Sequence, residues 1–503
     1  MSPALDFTQF KDRYDKGQSQ IVYEWIVADL DTPVSAFLKL CGEEPYSFLL
    51  ESVEGGAVLG RYSAIGLRPD LFWRYQDNKA ESSSNGKDWT AFKEKPLDAL
   101  KKTVEECRID HVNDELPPMT ASGLFGFMGY DMVRLVEDIP DANPDTLGLP
   151  QGLMIRPTLM VIFDNVRHMI CIATPVRAQK SVAVRDAWDN AHSRIQDAIR
   201  TLRGNLPTLK AQTKLKTPLT VSSNMTQAAY HDMVNQAVEY IRAGEIFQVV
   251  PSQRFSVPFD LPSFDLYRSL RRVNPSPFLF YLNFGDFALV GSSPEILVRV
   301  RDNVVTIRPI AGTRKRGATA AEDRALADDL LSDPKEKAEH LMLLDLGRND
   351  VGRVAATGSV RVTDSFTIEY YSHVMHIVSN VEGRLKDGVS SLDALFSGFP
   401  AGTVSGAPKI RAMEIIDELE PVKRSFYGGC IGYLDGHGDV DTCIALRTGL
   451  VKDGILYVQA GGGVVADSTP EFEFQETVNK SRALIRAAEL AIDQSRQAQR
   501  PKD

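Results

Sequence analysis

The sequence has few cysteines and lacks the spacings that mark a disulfide framework or a zinc site. Five cysteines occur in 503 residues, an odd number, and no two of them form a Cys-x-x-Cys pair. Disulfide scaffolds and structural zinc sites depend on paired, closely spaced cysteines. Reduced thiols in a cytoplasmic protein are therefore expected.

Long apolar runs are also missing. The longest runs, such as residues 159–163, are far shorter than the roughly 20 residues that a transmembrane helix needs. The start of the sequence, residues 1–6, is polar and acidic, and no signal-peptide core follows it. We therefore expect neither a membrane span nor secretion.

Positive charge is not in excess. The chain carries 57 Lys and Arg against 67 Asp and Glu, which gives a net charge of −10 at pH 7. A surface of this sign repels phosphates, so nucleic-acid binding is not expected. An anionic small substrate stays compatible with it, because a local positive site can override the global charge.

The sequence does contain enough apolar material for a large core, with 43% hydrophobic and 25% charged residues. Short β-rich runs alternate irregularly with helical spacings such as residues 182–202, which predicts an α+β fold. The polar, Ser-rich segment 77–87 is predicted to be a loop. The predicted divisions are an N-terminal region (1–202), a polar linker (203–225), a second region (226–494) and a polar tail (495–503).

A helix is predicted to begin at Pro334, with Asp333 as its cap. Glu339 lies on the same face of this helix as Leu343 and Leu346. A carboxylate on an apolar face is costly unless it is paired or bound to a metal ion. On residue type alone, a helix-edge glutamate with a route to solvent is the favoured interpretation.

A second helix is predicted to begin at Pro470, and it carries Glu473 and Glu476 one turn apart with Lys480 a further turn along. Two carboxylates on one helix face suit Mg²⁺, which prefers a few carboxylates plus water and substrate oxygens. The alternative is that these acids only complement the positive end of the helix dipole.

Three further features could contribute to a site for an anion. Gly461, Gly462 and Gly463 follow a predicted strand and would let backbone N–H groups approach a ligand, although such a run is more often a turn. Arg447 could hold a carboxylate or form a structural ion pair. His376 could transfer protons or be a packed core residue.

Together, four segments resemble the chorismate-binding enzyme family: residues 309–314 (PIAGTR), 339–350 (EHLMLLDLGRND), 398–409 (GFPAGTVSGAPK) and 461–476. Within this family, residues 49–52 (LLES) and 60–63 (GRYS) resemble the large subunits of anthranilate synthases. The resemblance extends over nearly the full chain. It implies two large, mainly antiparallel β-sheets packed together, with helices outside.

The resemblance also implies roles for individual residues. Glu339 and Glu476 match magnesium ligands, and Glu473 lies beside the metal. Gly312 and Thr313 match contacts near the substrate ring. Tyr427, Arg447 and the glycines Gly461, Gly462 and Gly463 match groups that hold the enolpyruvyl carboxylate of chorismate. Glu295 matches the acid that protonates the departing ring hydroxyl, and His376 matches a histidine of the later pyruvate elimination.

The nucleophile is indicated by two positions where family members differ. Aminodeoxychorismate synthases carry a lysine where this sequence has Ala311, and they use it covalently. Isochorismate and salicylate synthases use a lysine base where this sequence has Gln248, and a neutral amide cannot deprotonate water. Both differences favour free ammonia as the nucleophile.

The expected function is therefore Mg²⁺-dependent conversion of chorismate and ammonia to anthranilate and pyruvate, the first committed step of tryptophan biosynthesis. No segment resembles a glutamine-hydrolysing domain, so a separate glutamine amidotransferase subunit is the expected partner. Ser52, Pro277, Phe278 and Leu279 match the family's site for feedback inhibition by L-tryptophan, which would make residues 1–202 a regulatory region. The alternatives are an aminodeoxychorismate synthase subunit and a non-catalytic regulator that binds chorismate or tryptophan.

Overall fold

The computed structural model describes residues 6–54, 58–120, 122–207, 213–371 and 374–497. The helices are α1 (Phe7–Asp15), α2 (Pro33–Leu40), α3 (Pro96–Glu105), α4 (Val184–Leu202), α5 (Gln227–Arg242), α6 (Ser263–Val273), α7 (Ala320–Ser332), α8 (Pro334–Val354), α9 (Ser391–Ser397), α10 (Lys409–Leu419) and α11 (Pro470–Gln497).

The strands are β1 (Gln20–Val27), β2 (Ser47–Glu51), β3 (Val53–Glu54), β4 (Val58–Leu59), β5 (Tyr62–Gln76), β6 (Lys79–Ser83), β7 (Thr90–Ala91), β8 (Gly123–Met128), β9 (Gly152–Asp164), β10 (Met169–Val176), β11 (Ser222–Ser223), β12 (Gln248–Val249), β13 (Ser252–Pro258), β14 (Phe278–Asn283), β15 (Phe287–Ser293), β16 (Ile296–Arg301), β17 (Val304–Ile307), β18 (Ile310–Lys315), β19 (Arg361–Tyr370), β20 (Val374–Arg384), β21 (Gly406–Ala407), β22 (Cys430–Asp435), β23 (Val440–Ile444), β24 (Thr448–Lys452) and β25 (Ile455–Gly461).

Two large antiparallel sheets share the long strands β5 and β9, which pair with each other over most of their length. The first sheet has the order β1-β10-β9-β5-β2-β14-β15-β24-β25-β13-β11. The second has the order β7-β6-β5-β9-β8-β22-β23-β16-β17-β20, and β18 and β19 pair with β20. Hydrogen bonds therefore continue from one sheet into the other through this ribbon.

The two sheets pack face to face through large aromatic side chains. Phe48 of the first sheet stacks on Phe125 of the second with ring centroids 4.7 Å apart. Phe127 meets Phe287 edge to face at 6.0 Å. Helices α1, α2, α4, α6 and α11 cover the outer face of the first sheet, and α3, α8, α9 and α10 cover that of the second. The arrangement confirms the predicted fold of two packed antiparallel sheets with helices outside.

In each sheet a block of N-terminal strands pairs with a block of C-terminal strands. In the first sheet β2 lies between β5 and β14, and in the second β8 lies between β9 and β22. One short part of the predicted linker packs against the core: Leu219 is buried, and the Thr217 hydroxyl donates to Asp493 at 2.9 Å.

The prediction of a loop over residues 77–87 was wrong in part. Residues 79–83 form β6, which pairs with the end of β5 around a turn at Asp77 and Asn78, both in the left-handed region. The strand carries serines and a lysine because it lies near the edge of the sheet, where water replaces core contacts on one side. Its composition therefore lacks the apolar alternation that marks a buried strand.

No helix in the described ranges is both long and apolar enough to cross a lipid bilayer.

Candidate active site

Three successive glycines end β25, and each is approached by a different predicted site residue. A Cβ atom on Gly461 would lie 2.9 Å from the Tyr427 hydroxyl, and one on Gly462 would lie 2.8 Å from Glu473 Oε2. A Cβ on Gly463 would lie 2.8 Å from the Gln248 amide nitrogen. The glycine run is therefore required for space, because any side chain here would displace groups that converge on the site.

The three predicted metal ligands belong to α8 and α11, and Glu476 lies near each of the other two. Glu473 is buried and its Oε2 lacks a hydrogen-bond partner. Burial, followed by the negative charge of Glu476, raises the pKa of Glu473 to about 7. Burial, the nearby Glu336 and Glu476 raise the pKa of Glu339 as well. Like charges held this close in a partly dry site are unfavourable without a cation between them.

Two neutral or positive groups partly compensate this cluster. The Gln248 amide donates to Glu339 Oε1 at 3.3 Å. The Lys480 ammonium lies 2.6 Å from Glu476 Oε1 and donates to the Gly461 carbonyl at 2.9 Å. In this arrangement, no group of three or more His, Cys, Asp or Glu side chains among the described residues is spaced to hold a metal ion.

A histidine and a threonine meet across adjacent strands. Thr313 on β18 is the register partner of His376 on β20, and a bulge occurs between Ala311 and Thr313. Gly312 lies at this bulge with φ 69°, and the His376 Nδ1 atom lies 2.9 Å from its carbonyl oxygen and 3.1 Å from the Thr313 hydroxyl. A carbonyl only accepts hydrogen bonds, so Nδ1 carries the proton and Nε2 keeps its lone pair.

The surroundings of His376 favour its neutral form. Burial lowers its pKa below the usual 6.5, and the positive charge of Arg447 acts in the same direction. A neutral imidazole with a free Nε2 lone pair is suited to accept a proton.

Glu295 is a buried carboxylic acid that lies close to the Arg447 guanidinium. Burial raises the pKa of Glu295 to about 8, although the positive charge of Arg447 opposes the shift. Burial in turn lowers the pKa of Arg447, and the charges of Glu295 and Tyr371 oppose that shift. The Thr403 hydroxyl lies beside the Glu295 carboxyl, but no well-formed hydrogen bond joins them. At neutral pH the glutamic acid is mostly protonated and can donate a proton.

The carboxylates of α8 and α11 lie close to the residues around His376, so the two groups form one site. Glu336 lies beside Glu339 and would be 2.9 Å from a Cβ on Gly312, which links the carboxylates to β18. Burial raises the pKa of Tyr427 to about 12, and the negative charge of Glu476 acts in the same direction. The structure therefore brings all the predicted catalytic, substrate and metal residues around one region at the ends of β18, β20 and β25.

Several residues make contacts in this site that the sequence did not predict. Thr403 lies in a glycine-rich segment that was noted without a role. The Glu336 carboxylate accepts a hydrogen bond from Arg314 at 2.9 Å. Arg424 is buried and donates to Glu420 and to the carbonyls of Val404 and Val250, which ties three site segments together. A buried arginine leaves no periodic pattern from which to predict it.

The four residues of the predicted tryptophan site line a separate cavity. A cavity of about 760 Å³ is bordered by Ser52, Pro277, Phe278 and Leu279, together with residues of β16, β19 and β22. Its lining does not include Glu339, Glu473 or Glu476. It therefore lies apart from the carboxylate cluster, and part of its wall reaches Pro294 and Ile296, the neighbours of Glu295.

Comparison with known proteins identifies the family to which this chain belongs. The family model for the chorismate binding enzyme matches residues 62–486. The chain therefore belongs to the chorismate-binding enzyme family and is a chorismate-using enzyme, as the sequence predicted.

Within that family, the chain is similar to anthranilate synthase component 1 of Cereibacter sphaeroides, with 55% identity over 96% of this chain and 97% of the relative. It is also 50% identical to the component 1 of Pseudomonas putida over 92% of this chain and 94% of the relative. The crystal structure of anthranilate synthase component I from Streptococcus pneumoniae TIGR4 has a TM-score of 0.74 and 36% identity, and the match covers 92% of this chain and 99% of that one.

Proposed function

We propose that the chain converts chorismate and ammonia to anthranilate, pyruvate and water, as the large subunit of an anthranilate synthase. The names of its relatives support this reaction and a place in tryptophan biosynthesis.

The observation that carries the proposal is the absence of a basic side chain at Ala311 and Gln248. Ala311 is buried beside Gly312, and the Gln248 amide is engaged with Glu339. Neither residue can attack the ring or activate water, so the nucleophile must come from outside the chain. Ammonia meets that requirement without a covalent enzyme intermediate.

The side chains fit the two halves of the reaction. In the first half, ammonia adds to the ring carbon next to the carboxylate, and protonated Glu295 gives its proton to the departing ring hydroxyl, which leaves as water. In the second half, neutral His376 accepts the proton from the carbon that now bears nitrogen. The enolpyruvyl group then leaves as pyruvate and the ring becomes aromatic.

The substrate is a dianion, and the chain offers positive potential to one of its carboxylates. Arg447 and the glycine backbone of residues 461–463 would hold the enolpyruvyl carboxylate, with Tyr427 beside them, once the Gly462 N–H group leaves the Pro251 carbonyl to which it donates at 3.2 Å. Because Arg447 is largely desolvated, its charge is weakly screened and favours the bound anion strongly.

The carboxylate cluster is suited to Mg²⁺. The orphaned Glu473 Oε2 and the raised pKa values of Glu473 and Glu339 indicate a site that lacks a cation's charge. Glu339 and Glu476 would hold the ion with Glu473 beside it, and Lys480 would release Glu476. When bound, Mg²⁺ would neutralise and orient the ring carboxylate of chorismate.

Ammonia would come from a partner. The name component 1 of the relatives implies a second component, and we propose a glutamine amidotransferase in the cytoplasm. We further propose that L-tryptophan binds in the cavity bordered by Ser52, Pro277, Phe278 and Leu279 and inhibits the enzyme.

The test is to incubate the purified chain with chorismate, MgCl₂ and an ammonium salt and to follow anthranilate fluorescence, with and without tryptophan. We expect anthranilate formation that stops when EDTA removes the metal. A non-fluorescent amino product would favour aminodeoxychorismate synthesis, and binding without turnover would favour a regulator. Glu339→Gln should abolish Mg²⁺-dependent turnover, whereas Asp345→Asn, an exposed change on the same helix, should not.

A further inference from the structure

One wall separates the 760 Å³ cavity from the catalytic groups, and it is a single layer of residues thick. Pro294 and Ile296 line the cavity, while Glu295 between them belongs to the catalytic site. Ile310 also lines the cavity, and its backbone N–H lies within hydrogen-bonding reach of the Glu295 carboxyl. A change in the shape of the cavity can therefore act directly on groups that handle protons.

Tyr371 is the residue of this wall that contacts the catalytic histidine. It lines the cavity, and its ring meets the His376 ring edge to face, with centroids 5.4 Å apart and an interplanar angle of 65°. The orientation of the imidazole is thus limited on one side by Tyr371 and on the other by the Gly312 carbonyl and the Thr313 hydroxyl.

The Tyr371 hydroxyl is tied to the cavity by an ion pair. It donates to Glu369 Oε2 at 2.9 Å, and the other Glu369 oxygen pairs with Arg308. Both Glu369 and Arg308 line the cavity. A ligand that reaches this part of the cavity would contact or displace the Arg308–Glu369 pair, and the tyrosine hydroxyl would move with it.

Tyr371 is also close to a second residue of the catalytic site, Arg447. Glu295 and Tyr371 both lie near Arg447, the proposed carboxylate-binding group, so the three side chains are close together. A shift of Tyr371 would alter the space beside Arg447 as well as the position of His376.

From this geometry we propose that Tyr371 is the positioning residue that couples occupancy of the cavity to His376, held in its active orientation by Glu369 and Arg308. The proposal rests on the proposed function, in which tryptophan occupies the cavity. Because coupling between two sites is reciprocal, chorismate bound at the catalytic site should weaken tryptophan binding by the same factor with which tryptophan weakens chorismate binding.

The test uses titration calorimetry on the full chain with MgCl₂ and no ammonia, so that chorismate binds without turning over. The measured quantity is the ratio of the tryptophan Kd values with and without saturating chorismate. We expect a ratio of about tenfold or more for the unmodified chain. In Tyr371→Phe, the Kd without chorismate should stay within about twofold of the unmodified value, while the ratio falls towards one, because the ring remains but its tether is lost.

Two further variants provide an independent test and a control. Glu369→Gln removes the charge that pairs with Arg308 and so weakens the same tether from its other end; it should lower the ratio likewise, which keeps the proposal testable if Tyr371→Phe fails to fold. Tyr75→Phe also removes a tyrosine hydroxyl that donates to a side chain, at Asn78, but lies away from both sites, and it should keep the full ratio.

The possible results distinguish failure of the proposed coupling from failure of the proposed function. A ratio in Tyr371→Phe and Glu369→Gln equal to that of the unmodified chain overturns the role of Tyr371 and leaves the proposed function intact. Absence of tryptophan binding to the unmodified chain overturns both the effector and the coupling. The anthranilate assay without tryptophan then decides separately whether the proposed catalysis stands.

Discussion

Replacing Glu295 with glutamine tests the proposed proton donor most directly. The pKa of Glu295 is about 8 because its carboxyl is buried. A group with this pKa is about 91% protonated at pH 7 and about 9% protonated at pH 9, so the active fraction falls about tenfold between them. The amide of Glu295→Gln has no acidic proton, and loss of a general acid typically costs about 100- to 10,000-fold in rate.

The assay is the pH profile of kcat/KM for chorismate, followed by anthranilate fluorescence at a fixed concentration of free ammonia. We expect the profile of the unmodified enzyme to fall above pH 8 and that of Glu295→Gln to be low and to lack this limb. On the acid side, activity should fall only below pH 6.5, because the pKa of His376 is lowered. Asp265→Asn removes another carboxyl with a raised pKa, on α6, and should leave the profile unchanged.

A Glu295→Gln enzyme that keeps the alkaline limb, or that keeps more than about a tenth of the activity, would refute the assignment of Glu295 as the acid. In that case the limb would belong to another group, and burial alone would explain the raised pKa.

Two further predictions concern stability and the support of the site. Arg424→Lys keeps the charge but cannot reproduce the planar set of donors to Glu420, Val404 and Val250, so we expect a loss of about 1–3 kcal/mol in stability and a lower kcat. Thermal melting and steady-state kinetics measure both, with exposed Arg200→Lys as the control; values like those of the unmodified enzyme would contradict the role of Arg424. Phe125→Ala removes the ring between Phe48 and Tyr433 in the inter-sheet core, which should cost about 3–5 kcal/mol and lower the Tm by several degrees. The exposed change Leu30→Ala should not alter the Tm, and an unchanged Tm for Phe125→Ala would argue against tight packing of the sheets.

Local patterns in the sequence predicted those elements that are stabilised by local interactions. The cap Asp333 does accept hydrogen bonds from the backbone N–H groups of Lys335 and Glu336 at the start of α8. The helix predicted from the spacing of residues 182–202 is likewise present as α4, and the helix predicted to begin at Pro470 is present as α11. These signals involve residues within one turn or one helix, so no knowledge of the rest of the chain is needed.

The pairing of distant segments could not be predicted in this way. Nothing in residues 62–76 indicates that β5 would serve both sheets, because each half of the strand has an ordinary pattern and only its partners differ. The same limit applies to Tyr371, whose importance depends on a cavity formed by β14, β16 and β19. The candidate site residues came from a resemblance of motifs, and their spatial convergence became visible only through contacts such as those of Gly461 to Gly463.

The shared ribbon of β5 and β9 has a consequence for how the chain can fold during synthesis. β5 emerges from the ribosome early, but its neighbour β2 must pair with β14, and the first sheet continues to β25 at residues 455–461. Neither half of the chain can therefore bury its apolar faces before nearly all of it has been made. Pairings between such distant segments form slowly and leave strand edges open in the meantime. From this topology we expect that neither half of the chain folds when it is expressed alone.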